Sequence, residues 1–258
     1  MLTNEAVFAR AVEFLRNATR VVVFTGAGVS AESGIPTFRD PVTGMWEKYG
    51  PAELATAAAF RKDPALVWGW YEWRRALVAK AQPNEGHHVI AALERFVPEL
   101  LVVTQNVDDL HERAGSLRVV HLHGSLQTAR CFACARPYPL PWGHQAELSA
   151  GSKEPPRCLR CNGRVRPGVV WFGEKLPQQE LNRAIQAAKE SDLFLSLGTS
   201  GVVYPAAQIP EVARQHGATV LHFNTEAFEP PDDHVLVGRA GYNLVRLLSA
   251  AFGDPAPV

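Results

Sequence analysis

The segment VVVFTGAGVSAESGIPTFRD, residues 21–40, decides the fold. It opens on an unbroken apolar run, as expected of a strand buried on both faces, and turns sharply at Gly26-Ala-Gly28. Ala31 occupies the third small position of a GxGxxA pattern, in which glycines let the backbone approach a pyrophosphate held by helix N-terminal amides. Taken alone, the pattern serves a tight strand-to-helix turn equally well. Gly34 and Pro36 break the following helix within about two turns, whereas a hydride-transferring dinucleotide domain needs a full helix there. A bound dinucleotide here is therefore more suited to some other chemistry.

Outward from this segment, further apolar runs end in small or polar residues: LLVVTQN (100–106), RVVHLHG (118–124), GVVWFGE (168–174), DLFLSLGTS (192–200), ATVLHFNTE (218–226) and HVLVG (234–238). Helical patterns such as PNEGHHVIAALERFV and PQQELNRAIQAAKES lie between several of them. Strands alternating with helices predict an α/β fold, a Rossmann-like, doubly wound parallel sheet covered on both faces. Two segments break the rhythm, the aromatic-rich helical residues 41–83 and the irregular residues 125–164, which hold all four cysteines. Both look like insertions into a sheet domain formed by residues 1–40, 84–124 and 165–258, the second too irregular to stand without a crosslink or metal.

Lys+Arg and Asp+Glu both total 26, so no net charge draws the chain to nucleic acid or to a membrane. No run reaches the roughly eighteen apolar residues of a membrane span, and the acids Glu5 and Glu13 interrupt the layout of a secretory signal. The reading is a cytoplasmic protein in a reducing compartment. No sequence feature marks an oligomer, and a monomer is the simplest expectation.

Cys131 and Cys134, then Cys158 and Cys161, form two C-x2-C pairs separated by 23 residues. Thiolates at this spacing close a tetrahedral Zn²⁺ site, and four sulfur ligands leave no open position, so the metal is structural. Asn106 and Asp108 in TQNVD, and His121 and His123 in HLHG, follow apolar strands where ligands of open α/β sheets gather. Strand alternation puts both histidines on one side, so periodicity does not choose between them. Gly198-Thr-Ser200 and Asn224-Thr-Glu226 also end strands and suit phosphate and ribose contacts.

These segments, in this order, resemble the sirtuins, NAD-dependent protein lysine deacylases, over essentially the whole chain. That the two insertions join as a smaller lobe, a helical insertion with a zinc-binding module, is implied by this resemblance and not by the periodicity. The resemblance implies that NAD is a co-substrate bound by Gly26, Ala27, Gly28, Glu32, Phe38, Arg39, Gln105, Asn106, Val107, Asp108, Gly198, Thr199, Ser200, Asn224, Thr225, Glu226 and, more weakly, Ala240. It selects His123, which precedes the motif glycine, as the general base on a ribose hydroxyl, with Asn106 and Asp108 assisting. The implied products are lysine, nicotinamide and O-acyl-ADP-ribose. Val169, Val170, Trp171 and Phe172 would pair with an acylated-lysine peptide by strand addition and cover the lysine stem; many relatives have a phenylalanine where this chain has Trp171. An NAD glycohydrolase or ADP-ribosyltransferase on the same scaffold is the alternative, and an idle NAD-binding module a third.

The stretch WGWYEWRRAL, residues 68–77, falls in the helical insertion. Tyr71 and Arg74 share a helix face, and the family subset that removes acidic acyl groups has a tyrosine and an arginine three apart here. The resemblance therefore implies removal of succinyl and malonyl as well as acetyl groups. Trp68, Trp70 and Trp73 are expected to pack, and Arg75 to point to solvent.

Overall fold

The structure, a computed structural model, describes residues 4–37, 50–140, 151–225 and 234–253. Among them a six-stranded parallel sheet runs in the order β3-β2-β1-β7-β8-β9. Its strands are β1 (Arg20–Thr25), β2 (Glu99–Thr104), β3 (Val119–His121), β7 (Leu193–Leu197), β8 (Thr219–Asn224) and β9 (His234–Val237). The expected parallel, doubly wound sheet is present. The alternation of β1 explains its two-sided burial, because Val21 and Val23 enter one core while Val22 and Phe24 enter the other. The first core is closed by α1 (Asn4–Asn17), α6 (Glu85–Leu93) and α10 (Ala240–Phe252), the second by α8 (Gln178–Glu190) and α9 (Ile209–Gln215). Strand order reverses between β1 and β7, the place where an open α/β sheet splays its loops to admit a ligand.

Three further strands form a separate antiparallel sheet, β5 (Pro137–Tyr138), β4 (Gly124–Cys131) and β6 (Val165–Val169), in that order. The expected strand at residues 168–174 thus lies earlier, and its second half continues as extended chain with a single bridge from Phe172 to Thr56. Pro167 and Gly168 sit inside the observed strand, which is an edge strand of a small sheet and tolerates them.

The short α2 (Ala27–Ala31) follows β1, and α7 (Leu110–Arg113) follows β2. Between α2 and α6 lie α3 (Pro51–Leu54), α4 (Ala57–Lys62) and α5 (Pro64–Lys80). Asp63 caps α5 through a 2.9 Å bond from the Leu66 N–H, and Pro64 fixes its first turn. Side chains on most sides of α5 are buried, because it packs into a third core with Leu126, Val169 and Trp171 while Trp68 meets Ala129 and Val165. No helix among the described residues is long and apolar enough to cross a membrane.

Candidate functional site

The strand ends of β1 and β7 meet through glycine. A Cβ at Gly26 would lie 2.8 Å from the Gly198 carbonyl oxygen, and one at Gly28 would lie 2.8 Å from the Gly198 Cα. Gly198 itself has φ +57, and it accepts a 3.0 Å bond from the Gly28 N–H. These glycines therefore let two loops touch at the point where the sheet order reverses. The short α2 fits the early interruption expected from Gly34 and Pro36.

A polar cluster fills the space beside this contact. Asn106 Nδ2 donates to the Gly26 carbonyl at 3.1 Å and to Ser30 Oγ at 2.9 Å, and Ser30 Oγ donates to Asp108 Oδ2 at 3.0 Å. Asp108 Oδ1 accepts from the Leu110 N–H at 3.2 Å. Burial raises the Asp108 pKa from its usual range, although the Leu110 and Ser30 bonds pull the other way. Below the cluster, Thr25 donates to Thr104 at 2.8 Å and Thr104 accepts the Asn106 N–H at 3.0 Å. Since the Thr25 proton is spent on Thr104, the 3.0 Å contact between Thr25 and His111 Nε2 has the imidazole as donor. His111 Nδ1 is then an acceptor. His87 Nδ1 accepts the Asn84 N–H, so its Nε2 is a donor; the two rings are 4.9 Å apart, and neither of these remaining nitrogens has a hydrogen-bond partner among the described residues.

Ser30, Thr25, Thr104, His87 and His111 were not singled out from sequence. Ser30 sits one helical turn beyond Gly26, and that spacing was the only available sign.

The two histidines of HLHG separate clearly in the structure. His121 is clamped at both nitrogens, by the Asn106 carbonyl at 3.2 Å and by Glu112 at 2.7 Å. Burial opposes its charge, but the Glu112 bond and charge outweigh it and raise the pKa. His123 Nδ1 bonds the Gln105 carbonyl at 2.9 Å and must donate to it, which leaves Nε2 as the basic nitrogen. Burial lowers the pKa of His123, only partly offset by that bond, so the ring is neutral near pH 7.

The remaining strand-end residues fall nearby in part. Asn224 Nδ2 donates to the Thr199 carbonyl at 3.4 Å, and its Oδ1 accepts the Thr225 N–H at 2.9 Å, joining the loops after β7 and β8; Ser200 is exposed. A Cβ at Gly241 would lie 3.2 Å from Glu32 Oε2, which places Glu32 against the N-terminus of α10 where Ala240 is buried. Val107 packs toward the third core, and its carbonyl accepts the Leu126 N–H at 2.8 Å. Phe38, Arg39 and Glu226 lie outside the described residues.

On the α5 side, Tyr71 is 2% exposed and its hydroxyl oxygen accepts a 3.0 Å bond from Trp171 Nε1. Burial pushes the phenol pKa up to about 12. Arg74 is half-buried, with its guanidinium 5.1 Å from the Trp70 ring centre. Desolvation lowers its pKa while Tyr71 and Asp108 support its charge, so this cation feels the polar cluster. Trp68, Trp70 and Trp73 pack as expected. Arg75 does not point to solvent: it is 4% exposed, donates to the Leu126 carbonyl at 2.8 Å and pairs with Glu72. Lys153 reaches the same carboxylate at 3.2 Å, which ties α5 to the second insertion. A helix buried on nearly all sides has no solvent face at that position, and a charged side chain there must be paired.

The segment after β6 has its amides engaged. Val170 N–H goes to the His123 carbonyl at 2.8 Å, Phe172 N–H to Ala55 at 3.0 Å and Trp171 N–H to the Glu174 carboxylate at 2.9 Å. A substrate backbone pairing here would use carbonyls of this segment or amides beyond it. Phe172 and, after β7, Val202 and Tyr204 are exposed apolar side chains.

The four cysteine sulfurs lie within 4.8 Å of one another. Cys131 and Cys161 are 3.5 Å apart, and Cys134 and Cys158 are 3.8 Å apart, far beyond a disulfide and close to the about 3.8 Å edge of a tetrahedron with 2.3 Å zinc–sulfur bonds. Each pair closes the same turn, with the Ala135 and Asn162 amides bonded back to Cys131 and Cys158 and both residues at positive φ, 58° and 57°. A Cβ at Gly163 would lie 3.1 Å from Cys131 Sγ, so the sulfurs need that glycine's space. This donor set fits a structural zinc ion.

Comparison with known proteins agrees with these features. The Sir2 family profile matches residues 26–205. A Pseudomonas aeruginosa protein named NAD-dependent protein deacylase 1 is 58% identical, over 93% of this chain and 98% of its own. A Methylococcus capsulatus NAD-dependent protein deacylase is 56% identical, over 89% of this chain and 88% of its own. A crystal structure of a Sir2 homolog–NAD complex superposes with a TM-score of 0.83 at 43% identity, covering 94% of this chain and 93% of that one. The structure of Sir2Af2 bound to a myristoylated histone peptide gives 0.75 at 34% identity, covering 96% and 97%. The chain belongs to the Sir2 family.

Proposed function

We propose that this Sir2-family protein is an NAD-dependent protein lysine deacylase that prefers acidic acyl groups, its small lobe being the insertions at 41–83 and 125–164. The observation that carries the catalytic part is the state of His123: a neutral imidazole with a basic Nε2, held through Nδ1 by the carbonyl of Gln105, the residue before Asn106 of the Asn106–Ser30–Asp108 cluster. The relatives' names and the NAD complex of a similar structure support the same reading.

NAD would rest on Gly26 to Gly28, Glu32, Gln105 to Asp108, Gly198 to Ser200, Asn224 to Glu226 and Ala240, and would supply a glycosidic bond to nicotinamide that the acyl oxygen displaces. The glycine contact between the β1 and β7 loops gives a phosphate close access to backbone amides. Asn106 and Asp108, fixed by Ser30, orient the ribose and nicotinamide ends. His123 Nε2 takes a proton from a ribose hydroxyl. The Val169–Phe172 segment, with exposed Phe172, Val202 and Tyr204, would cover the substrate peptide, as an acylated histone peptide is bound in a similar protein.

Arg74 and Tyr71 support the acyl preference. A half-buried guanidinium beside a buried phenol suits a carboxylate at the end of a succinyl or malonyl chain and gains little from acetyl. The test is a panel of acetyl, malonyl and succinyl peptides with NAD, comparing Arg74→Met with the parent. Desuccinylation should fall at least about thirtyfold while deacetylation changes only a few-fold. Equal losses would remove the acidic-acyl reading. Nicotinamide release that needs no acylated peptide would instead favour an NAD glycohydrolase.

A further inference from the structure

The buried phenol of Tyr71 raises a question that the pairing with Arg74 does not answer. A tyrosine hydroxyl both accepts and donates, and only its donor direction helps bind a carboxylate. What sets that direction is one indole N–H. Trp171 Nε1 donates to the Tyr71 oxygen at 3.0 Å, across 100 residues of chain. A phenol O–H lies near the ring plane in one of two orientations, and a donor aimed at the oxygen blocks the orientation that faces it. The Tyr71 proton is therefore turned away from Trp171. No acceptor for it lies among the described residues, although the side chain is 2% exposed. A buried donor with no acceptor among the described residues, beside the Arg74 guanidinium, suits an anionic ligand.

Trp171 is itself held on three sides. The Arg166 guanidinium lies 3.4 Å from its ring centre, and Arg166 is fixed by Glu174 in a two-pronged pair and by a 2.9 Å bond to the Val169 carbonyl. The same Glu174 carboxylate accepts the Trp171 backbone N–H at 2.9 Å. Phe60 and Phe132 pack on the indole at ring-centre separations of 5.4 and 6.1 Å. An indole so gripped cannot rotate its N–H elsewhere. Because the phenol pKa is pushed up to about 12, Tyr71 keeps its proton at any pH where the enzyme works.

We infer that Trp171 is a positioning residue for acyl selectivity: its N–H orients the Tyr71 hydroxyl as a dedicated donor to the distal carboxylate of an acidic acyl group. The inference rests on the acidic-acyl reading above and assigns to the indole a task that a phenylalanine cannot perform. It separates two duties of one side chain, the apolar wall, which any aromatic ring supplies, and the hydrogen bond, which needs the nitrogen.

The test is a double-mutant cycle of Trp171→Phe and Tyr71→Phe, read as kcat/KM on succinyl and acetyl versions of one peptide and as peptide Kd measured without NAD. Trp171→Phe should lower the succinyl-to-acetyl ratio about three- to tenfold, both in kcat/KM and in peptide binding, whatever loss the altered wall imposes on the two peptides in common. In the Tyr71→Phe background the same change should have no further effect on the succinyl-to-acetyl ratio. Equal losses on both peptides, or additive losses in the cycle, would overturn the inference and leave Trp171 as wall alone. If Trp171→Phe loses its thermal transition, benzothienylalanine at position 171 removes only the N–H and must reproduce the expected ratio. Arg74→Met distinguishes the two levels. Selective loss there without selectivity in the cycle sinks only this inference, whereas no selectivity in Arg74→Met sinks both.

Discussion

The strand-end cluster and the packing around α5 are neighbours built on different principles. At the strand ends, short side chains such as Ser30, Thr25, Thr104, Asn106 and Asp108 bond to one another and to backbone, with distances of 2.8 to 3.1 Å between several of them. Around α5, long cations and aromatic rings do the positioning: Arg75 with Glu72, Arg166 over Trp171, and Arg74 beside Trp70. The first arrangement depends on where a parallel sheet ends and leaves little freedom for variation. The second depends on side-chain packing between an inserted helix and a small sheet, which can change without disturbing the main sheet. The proposed function would thus place chemistry on the rigid element and discrimination between substrates on the adjustable one.

The sharpest break of this comparison is His123→Ala. Removing the basic nitrogen should lower turnover about 10²- to 10⁴-fold on every acyl peptide alike, with thermal stability nearly unchanged. His121→Gln is the counterpart. It loses the clamp to Glu112, and should cost stability more than turnover, because both of its nitrogens are already occupied. Comparable turnover losses in the two variants would mean that the site does not separate a base from a strut.

Arg75→Met probes the other side. It takes the Arg75 guanidinium away from the buried Glu72 carboxylate, which Lys153 also contacts at 3.2 Å, and should destabilise the protein by about 3 kcal/mol, measured by denaturant unfolding. Its effect on acyl selectivity should be smaller than that of Arg74→Met, since Arg75 is tied to Glu72 and Leu126 while the proposed function gives the acyl carboxylate to Arg74. A stability change below about 0.5 kcal/mol would show that the pair behaves as if solvated.

Legibility in the sequence follows the same division. The β1 turn, the strand ends and the two C-x2-C pairs could be read because local pattern determines them: apolar runs, glycines and fixed ligand spacing. The role of Arg75 was misread because a helix buried all round gives no amphipathic stripe to locate a solvent face, as the buried residues from Val67 to Val78 show. The bond from Trp171 to Tyr71 joins residues 100 positions apart, and no periodicity records it. The His87–His111 pair was missed for a similar reason, since each looks like an ordinary helix residue until α6 and α7 are brought together.

That pair gives the smallest expected effect and a clear sign. Burial lowers the pKa of His87 from 6.5 to about 4, and that of His111 from 6.5 to about 3, in each case with help from neighbouring imidazoles. Their unfolded forms therefore bind protons below about pH 6.5 while the folded forms do not, so stability is full above that pH and falls as pH drops toward 4. His123, also shifted down, adds to this loss; His121, shifted up, opposes it. Glu112, Glu174 and Asp192, all shifted down, act at lower pH, below the usual carboxylate range. His111→Gln keeps a donor for Thr25 and removes one titrating ring, so the Tm difference between pH 8 and pH 5 should shrink by a few degrees while activity at pH 8 stays within a few-fold. An unchanged difference would place the acid limb elsewhere, and a large activity loss at pH 8 would instead make the ring part of what orients Asn106 through Thr25 and Thr104.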